Sequence, residues 1–167
     1  MKESTGPLGR NFRMLMKPQH DRSGPLRPLA GLFGVSVVLN YFWEIAQSFL
    51  FVGMDSWENI WWHCFVASLG DGLLVLSIHA AGWRFFRRSD WFMDPHLKGY
   101  GVMLLTGLVL AIAVEWLAVH VLQRWTYSAD MPVLPGVNIG IVPLLQMLML
   151  PPLIFYIVAQ GLKRPRG

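Results

Sequence analysis

Two acids, a histidine and two glutamines lie inside long apolar runs: Glu44, Glu115, His63, Gln47 and Gln146. Asp71, Asn40 and His79 are further polar residues in the same runs. An ionisable side chain in hydrocarbon costs several kcal/mol unless it is paired, hydrated or neutralised, so each needs a reason. A carboxylic acid walled by apolar groups can keep its proton near neutrality and pass it to an alkene or a leaving group, with an imidazole as base or relay. The candidate catalytic residues are therefore Glu44, His63, Glu115 and Asp71. Asn40, Gln47 and Gln146 are candidate substrate-binding amides. The rings of Trp43, Trp116, Trp125 and Tyr127 are candidates for stabilising a developing cation by cation–π contact.

Spacing supports a common site. Ser36, Asn40, Glu44 and Gln47 follow i, i+4, i+8, i+11 and share one helix face. His63, Ala67 and Gly70 share another, with Asp71 about a quarter-turn away. Glu115 lies in line with Ala111 and Ala118, small residues that let a neighbouring helix approach. His120 points away from that face, and His79 and His120 are expected near the interfaces, solvated. Counting inward from the span ends puts Glu44, Gln47, His63, Glu115 and Gln146 roughly 5–12 Å below the outer edge of the hydrocarbon core. Asp71 falls nearer the midplane.

The elements that must position these residues are four membrane spans. Of the 167 residues, 54% are apolar and only 14% charged, where a soluble domain carries about a quarter. Four stretches, about 29–52, 59–81, 99–122 and 139–160, are long enough to cross a bilayer. The expected fold is an all-α, four-transmembrane-helix bundle forming one domain, with a basic mobile tail at 1–28 and a short basic tail at 161–167. Of the 14 Lys and Arg residues, only Arg124 falls in the loops after the first and third spans. That bias places both termini on the cytoplasmic side of a multi-pass protein of the bacterial inner membrane. The net charge of +4 is thus a topology signal, and nucleic acid is not expected as a partner. A single cysteine, Cys64, excludes an intrachain disulfide and the dithiol redox chemistry that needs one. Trp57, Trp61, Trp62 and Trp125 would mark the outer interface, and Trp83 and Trp91 the inner one.

Two further features bear on the site. Pro151 and Pro152 cannot donate to the carbonyls of Met147 and Leu148, so a kink and freed acceptors are expected one turn below Gln146. The segment 123–139 holds two prolines and a glycine beside Trp125 and Tyr127, and it would lie over the polar layer as a lid.

The plainest account of the buried acids is interhelical hydrogen bonding that fixes the bundle. The count of polar groups at one depth exceeds what packing requires, which favours a pocket. The foremost expectation is an enzyme using carboxyl and imidazole acid–base chemistry on a lipid or isoprenoid drawn from the bilayer. One alternative is a non-catalytic, ligand-binding or accessory subunit of a larger membrane complex. Another is a metal site using Glu44, His63 and Glu115 with Asp71 in reserve, although no metalloprotein motif accompanies them. No sequence motif specifies a cofactor, and haem between His63 and His120 has only matching depth in its favour.

The runs Phe42-Trp43-Glu44-Ile45-Ala46-Gln47, Trp125-Thr126-Tyr127, Met131-Pro132 and Ile139-Gly140 followed by Pro143-Leu144-Leu145-Gln146 resemble a group of small four-span bacterial inner-membrane proteins. The resemblance spans roughly residues 30–160 and implies a fold but no activity. The inventory of acids, histidine and tryptophans is also loosely similar to the sterol-isomerase type of membrane pocket.

Overall fold

The computed structural model describes residues 26–164. Most of the 1–28 tail and the last three residues of the C-terminal tail lie outside the described residues. Helix α1 runs Leu26–Gln47 and ends in a 3-10 turn, Ser48–Leu50. Helix α2 covers Trp57–Phe86, and α3 covers His96–Trp116 and closes in a π turn, Leu117–Val121. A two-stranded hairpin follows, β1 Val133–Leu134 against β2 Ile139–Gly140, and then α4, Ile141–Lys163. All four helices are long and apolar enough to cross a membrane, the architecture of a multi-pass membrane bundle.

The helices match the expected spans to within a few residues, and α2 exceeds its span at both ends. Ser56 caps the start of α2 by accepting from the Asn59 N–H, with Glu58 in the first turn. At the far end α2 passes residue 81 and stops at Arg87, whose left-handed backbone (φ 59°) lets its N–H reach Trp83 O at 2.8 Å. α1 packs against α2 and α4, and α3 against α4 and α2, so α1 and α3 occupy one diagonal of the bundle. The stripe Gly99, Met103, Gly107, Ala111, Glu115 is the buried side of α3, as the i, i+4 spacing requires.

α4 continues through its prolines. Pro151 frees the Met147 carbonyl, and that oxygen faces Gly107 of α3 so closely that a Cβ there would sit 2.5 Å from it. Glycine lets the freed acceptor become a helix–helix contact.

The end of the bundle holding the α2–α3 connection is an aromatic core. A short 3-10 turn, Trp91–Met93, inserts Trp91 and Phe92 beside Phe155 of α4. A Cβ on Gly82 would lie 2.1 Å from the Trp91 ring, so the missing side chain is the seat for the indole. His79 is only 7% exposed, donates to Ser89 O (2.9 Å), and stands against Trp91, Phe92 and Phe155. The expectations of a solvated His79 and an interfacial Trp91 are both corrected, because the connection folds back into the bundle and covers them.

At the opposite end the α3–α4 connection is strapped to the end of α1. Val52 N–H donates to Thr126 O and Ser128 N–H to Leu50 O, both at 2.9 Å, in an antiparallel bridge between Phe51 and Tyr127. Phe51 packs edge-on against Trp125 and tilted against Tyr127.

Candidate functional site

Beneath that strap lies a cavity of about 500 Å³. All four helices and the strap contribute to its lining. Glu44 and Gln47 come from α1, Asp71 and His63 from α2, Glu115 from α3, Gln146 from α4, and Trp125 from the connection. Val66, Ala67, Leu74, Ala111, Val114 and Met147 supply apolar wall between them. Its volume falls in the ordinary range for a small-molecule site.

The polar side chains form two groups. The first is centred on Gln146. Its Nε2 lies 2.8 Å from Asn40 Oδ1, 2.8 Å from Asp71 Oδ2 and 3.0 Å from Glu44 Oε1. Gln47 Nε2 donates to Glu44 Oε1 (2.9 Å) and to Gln146 Oε1 (3.2 Å). Two fixed groups set the sense of the network. Asn40 Nδ2 donates to Ser36 O and Oγ, both at 2.9 Å, so Asn40 Oδ1 must accept. Trp43 Nε1, which can only donate, gives its hydrogen to Gln47 Oε1 at 3.1 Å. Flipping either glutamine would set oxygen against oxygen. The Glu44 and Asp71 carboxyls thus meet at one amide nitrogen, that of Gln146.

The second group holds Glu115, which is 6% exposed. Tyr127 OH donates to Glu115 Oε2 and accepts from the Gly140 N–H at 2.8 Å. Trp125 lies beside the same carboxyl, its buried Nε1 without a hydrogen-bond partner among the described residues. Burial, and next the adjoining Glu115, pushes the Tyr127 phenol above its ordinary range, so it stays a donor.

The structure thus brings Glu44, Gln47, Asp71, Glu115, Gln146 and Trp125 to one cavity. His63 is on the rim, exposed, with Nδ1 donating to Asn59 O at 2.7 Å. The buried stripe of α2 carries Cys64, Ser68 and Gly72, while His63, Ala67, Gly70 and Asp71 line the cavity beside it. Four expected lining residues are displaced. Asn40 is fully buried behind Gln146. Trp43 packs on the apolar core while holding Gln47. Tyr127 acts through its hydroxyl on Glu115. Trp116 is 49% exposed and faces away beside His120, because one residue rotates a helix by about 100°. His120 donates to Val137 O at 2.9 Å and is not among the residues that line the cavity with His63. Among the described residues, no three His, Cys, Asp or Glu side chains converge to hold a metal ion, so Glu44, His63, Glu115 and Asp71 do not assemble as the alternative required.

Arg124 is the lining residue that the sequence pointed to only as a topology signal. The π turn widens the end of α3, Leu122 N–H reaching Leu117 O at 2.9 Å, and Gln123 then adopts φ 48°. That reversal carries Arg124 over the cavity, its N–H held by Ala118 O at 2.9 Å. Nothing in the local sequence announces a π turn. The positive signal was the isolation of Arg124 among loops otherwise empty of basic residues.

Fold and site together define a four-helix membrane bundle with an intramembrane carboxyl cavity. Comparison with family models, curated proteins and solved structures finds no match for this chain.

Proposed function

We propose that this chain is an integral-membrane enzyme that uses carboxyl acid–base chemistry on a lipid-soluble substrate of the isoprenoid or lipid class. One observation carries the reading. Carboxyl groups from three helices and an amide from the fourth meet in one 500 Å³ cavity whose remaining wall is largely apolar. Packing alone would be served by two hydrogen-bonded partners, whereas open space beside three acids is what a reacting molecule needs. In this reading the substrate enters from the bilayer, and the strap carrying Trp125 and Tyr127 closes the cavity from water. Glu44, Asp71 and Glu115 transfer protons, while Gln47 and Gln146 hold the first two in place. His63 on the rim is available as a relay to solvent.

The distribution of Lys and Arg supports a bacterial inner-membrane orientation with both termini cytoplasmic, so that the strap faces outward. A cysteine replacing Asp130 should then react with an impermeant thiol reagent from outside intact cells; labelling from the cytoplasmic side alone would reverse the orientation. For the enzymatic reading, membranes bearing wild type and the separately folded variants Glu44→Gln and Glu115→Gln should differ in one lipid-soluble species. Wild type should also retain such a species through purification in lipid nanodiscs. Identical lipid profiles across all three proteins would remove the catalytic reading.

A further inference from the structure

We propose that the cavity takes a single-chain amphiphile with an anionic headgroup, whose chain enters sideways through a slot between α2 and α3 and whose head stops at Arg124. This names the ligand class of the same cavity and rests on the reading above only for the ligand being lipid-soluble.

The slot follows from which part of the lining is covered. On α1 and α4 the lining residues Gln47, Ser48, Pro143, Gln146 and Met147 are buried. On α2 the lining residues His63, Val66, Ala67 and Gly70 are all exposed, and on α3 so is Val114. The open side of the cavity therefore lies between α2 and α3. Its closed end is set by contact. A Cβ on Gly107 of α3 would stand 3.6 Å from Ile78 Cδ1 of α2, and Leu74 packs on the cluster around Ala111. Toward the strap α2 carries the small residues Gly70 and Ala67, and a Cβ on Gly70 would meet nothing within 4 Å. From Leu74 to His63 the helix covers about 16 Å at 1.5 Å per residue. That stretch belongs to a helix apolar enough to cross a membrane, so the slot opens on lipid chains.

The strap end of the cavity selects the head. Among the described residues, Arg124 is the only Lys or Arg in the lining. Three acids line the same cavity, yet Arg124 pairs with none of them. The ion pairs among the described residues, Arg88–Asp90 and His96–Asp94, are in the α2–α3 connection at the other end of the bundle. A guanidinium placed over a cavity and committed to no acid keeps its donors for a ligand. The adjoining Trp125 adds another. Its indole Nε1 can only donate, is buried, and has no partner among the described residues. A buried donor is costly until an acceptor meets it, and a ligand oxygen at the strap end would do so. Guanidinium and indole N–H together suit a phosphate or a carboxylate.

The same arrangement orients the molecule. The cation stands on the strap, whereas Glu44, Asp71 and Glu115 stand within the helices. An anionic head is therefore held at the strap, its chain is left to the apolar slot, and the carboxyls face the part of the molecule beyond the head. The volume of about 500 Å³ matches a drug-sized ligand, so one chain fits and a two-chain lipid does not.

Native mass spectrometry of the full chain in neutral detergent, titrated with dodecyl phosphate, dodecanoate or dodecanol, tests head and slot together. Wild type should take up one molecule of an anion about tenfold or more tighter than the alcohol. The tighter of the two anions then identifies the head as phosphate or carboxylate. Arg124→Gln should erase the preference over dodecanol, and Arg124→Lys, which keeps the charge, should retain it in part. Gly70→Leu should fill the slot and weaken all three ligands. Gly101→Leu, a like change into open space away from the cavity, should weaken none. Wild type that binds no anion or binds alcohol equally well, or a preference that survives Arg124→Gln, overturns the headgroup. Unchanged binding in Gly70→Leu overturns the slot; if that variant does not fold, Val114→Trp plugs the other edge and is read the same way. Anion binding by a protein whose membranes match those of Glu44→Gln and Glu115→Gln in lipid profile would remove the catalytic reading alone. A differing lipid profile without anion binding would remove the ligand assignment alone.

Discussion

Replacing Gln146 by leucine isolates the network that joins three helices. The substitution keeps similar volume and removes one acceptor and two donor hydrogens, so packing should change little. Three hydrogen bonds of normal geometry are lost, to Gln47, to Asn40 and to the Glu44–Asp71 pair. In a water-soluble core each orphaned group would cost about 1–3 kcal/mol. In a bilayer the separated helices still find polar partners, and interhelical hydrogen bonds average only ~0.6 kcal/mol each. The membrane scale therefore predicts a loss of about 2 kcal/mol for Gln146→Leu. Reversible unfolding in mixed micelles, followed by tryptophan fluorescence against detergent composition, measures it. Asn40→Leu combined with Gln146→Leu should cost less than the two single changes added together, because the double variant removes both members of one pair. Stability of Gln146→Leu within ~0.5 kcal/mol of wild type, or strict additivity in the cycle, would show that the network does not hold the helices together.

Gly107→Ala should destabilise the bundle by about 1–3 kcal/mol, since its methyl would meet the Met147 carbonyl, while Gly101→Ala, with open space around it, should be neutral in the same unfolding assay. Gly82→Ala should expel Trp91 from its seat; a red-shifted tryptophan emission and faster tryptic cleavage after Arg87 or Arg88 would report it, and unchanged spectra and cleavage would refute it. The Tyr127 phenol is held above its unfolded value of about 10, so its anchoring of the strap is complete below that pH and lost as pH rises through the folded value. Fluorescence of Trp125 should therefore show a transition above about pH 10. Tyr127→Phe should abolish that transition, and its persistence in the variant would contradict the assignment to Tyr127.

The helical part of the site was legible because α-helical periodicity is local. Ser36, Asn40 and Gln47 on α1 and Ala111, Glu115 and Ala118 on α3 are buried as their spacing required. Side-chain roles at the edge of those stripes were less legible. Trp43 and Trp116 adjoin acids in sequence, yet a rotation of about 100° per residue sends one into the core and the other outward. The strap was legible as a compact loop over the polar layer, but its pairing with Leu50 and Val52 joins segments far apart in the chain and leaves no periodic trace. For that reason Tyr127 could be named while its hydroxyl contact with Glu115 could not. The prolines gave the freed carbonyl correctly; its partner, Gly107, lies on another helix and belongs to tertiary structure.

The contact between the Met147 carbonyl and Gly107 works as an indexing pin. Gln146 precedes that carbonyl in α4, and Glu115 stands about two turns along α3 from the glycine socket. Seating the pin fixes how far α3 has slid past α4, and so sets the gauge between the two halves of the cavity. A slip of one residue would shift the helices by about 1.5 Å and rotate the facing side chain by about 100°. With only glycine able to accept the pin, the helices have one notch in which to stop. The spacing of the carboxyls across the cavity is thereby set by backbone, in the hydrocarbon wall, where no water competes to loosen it.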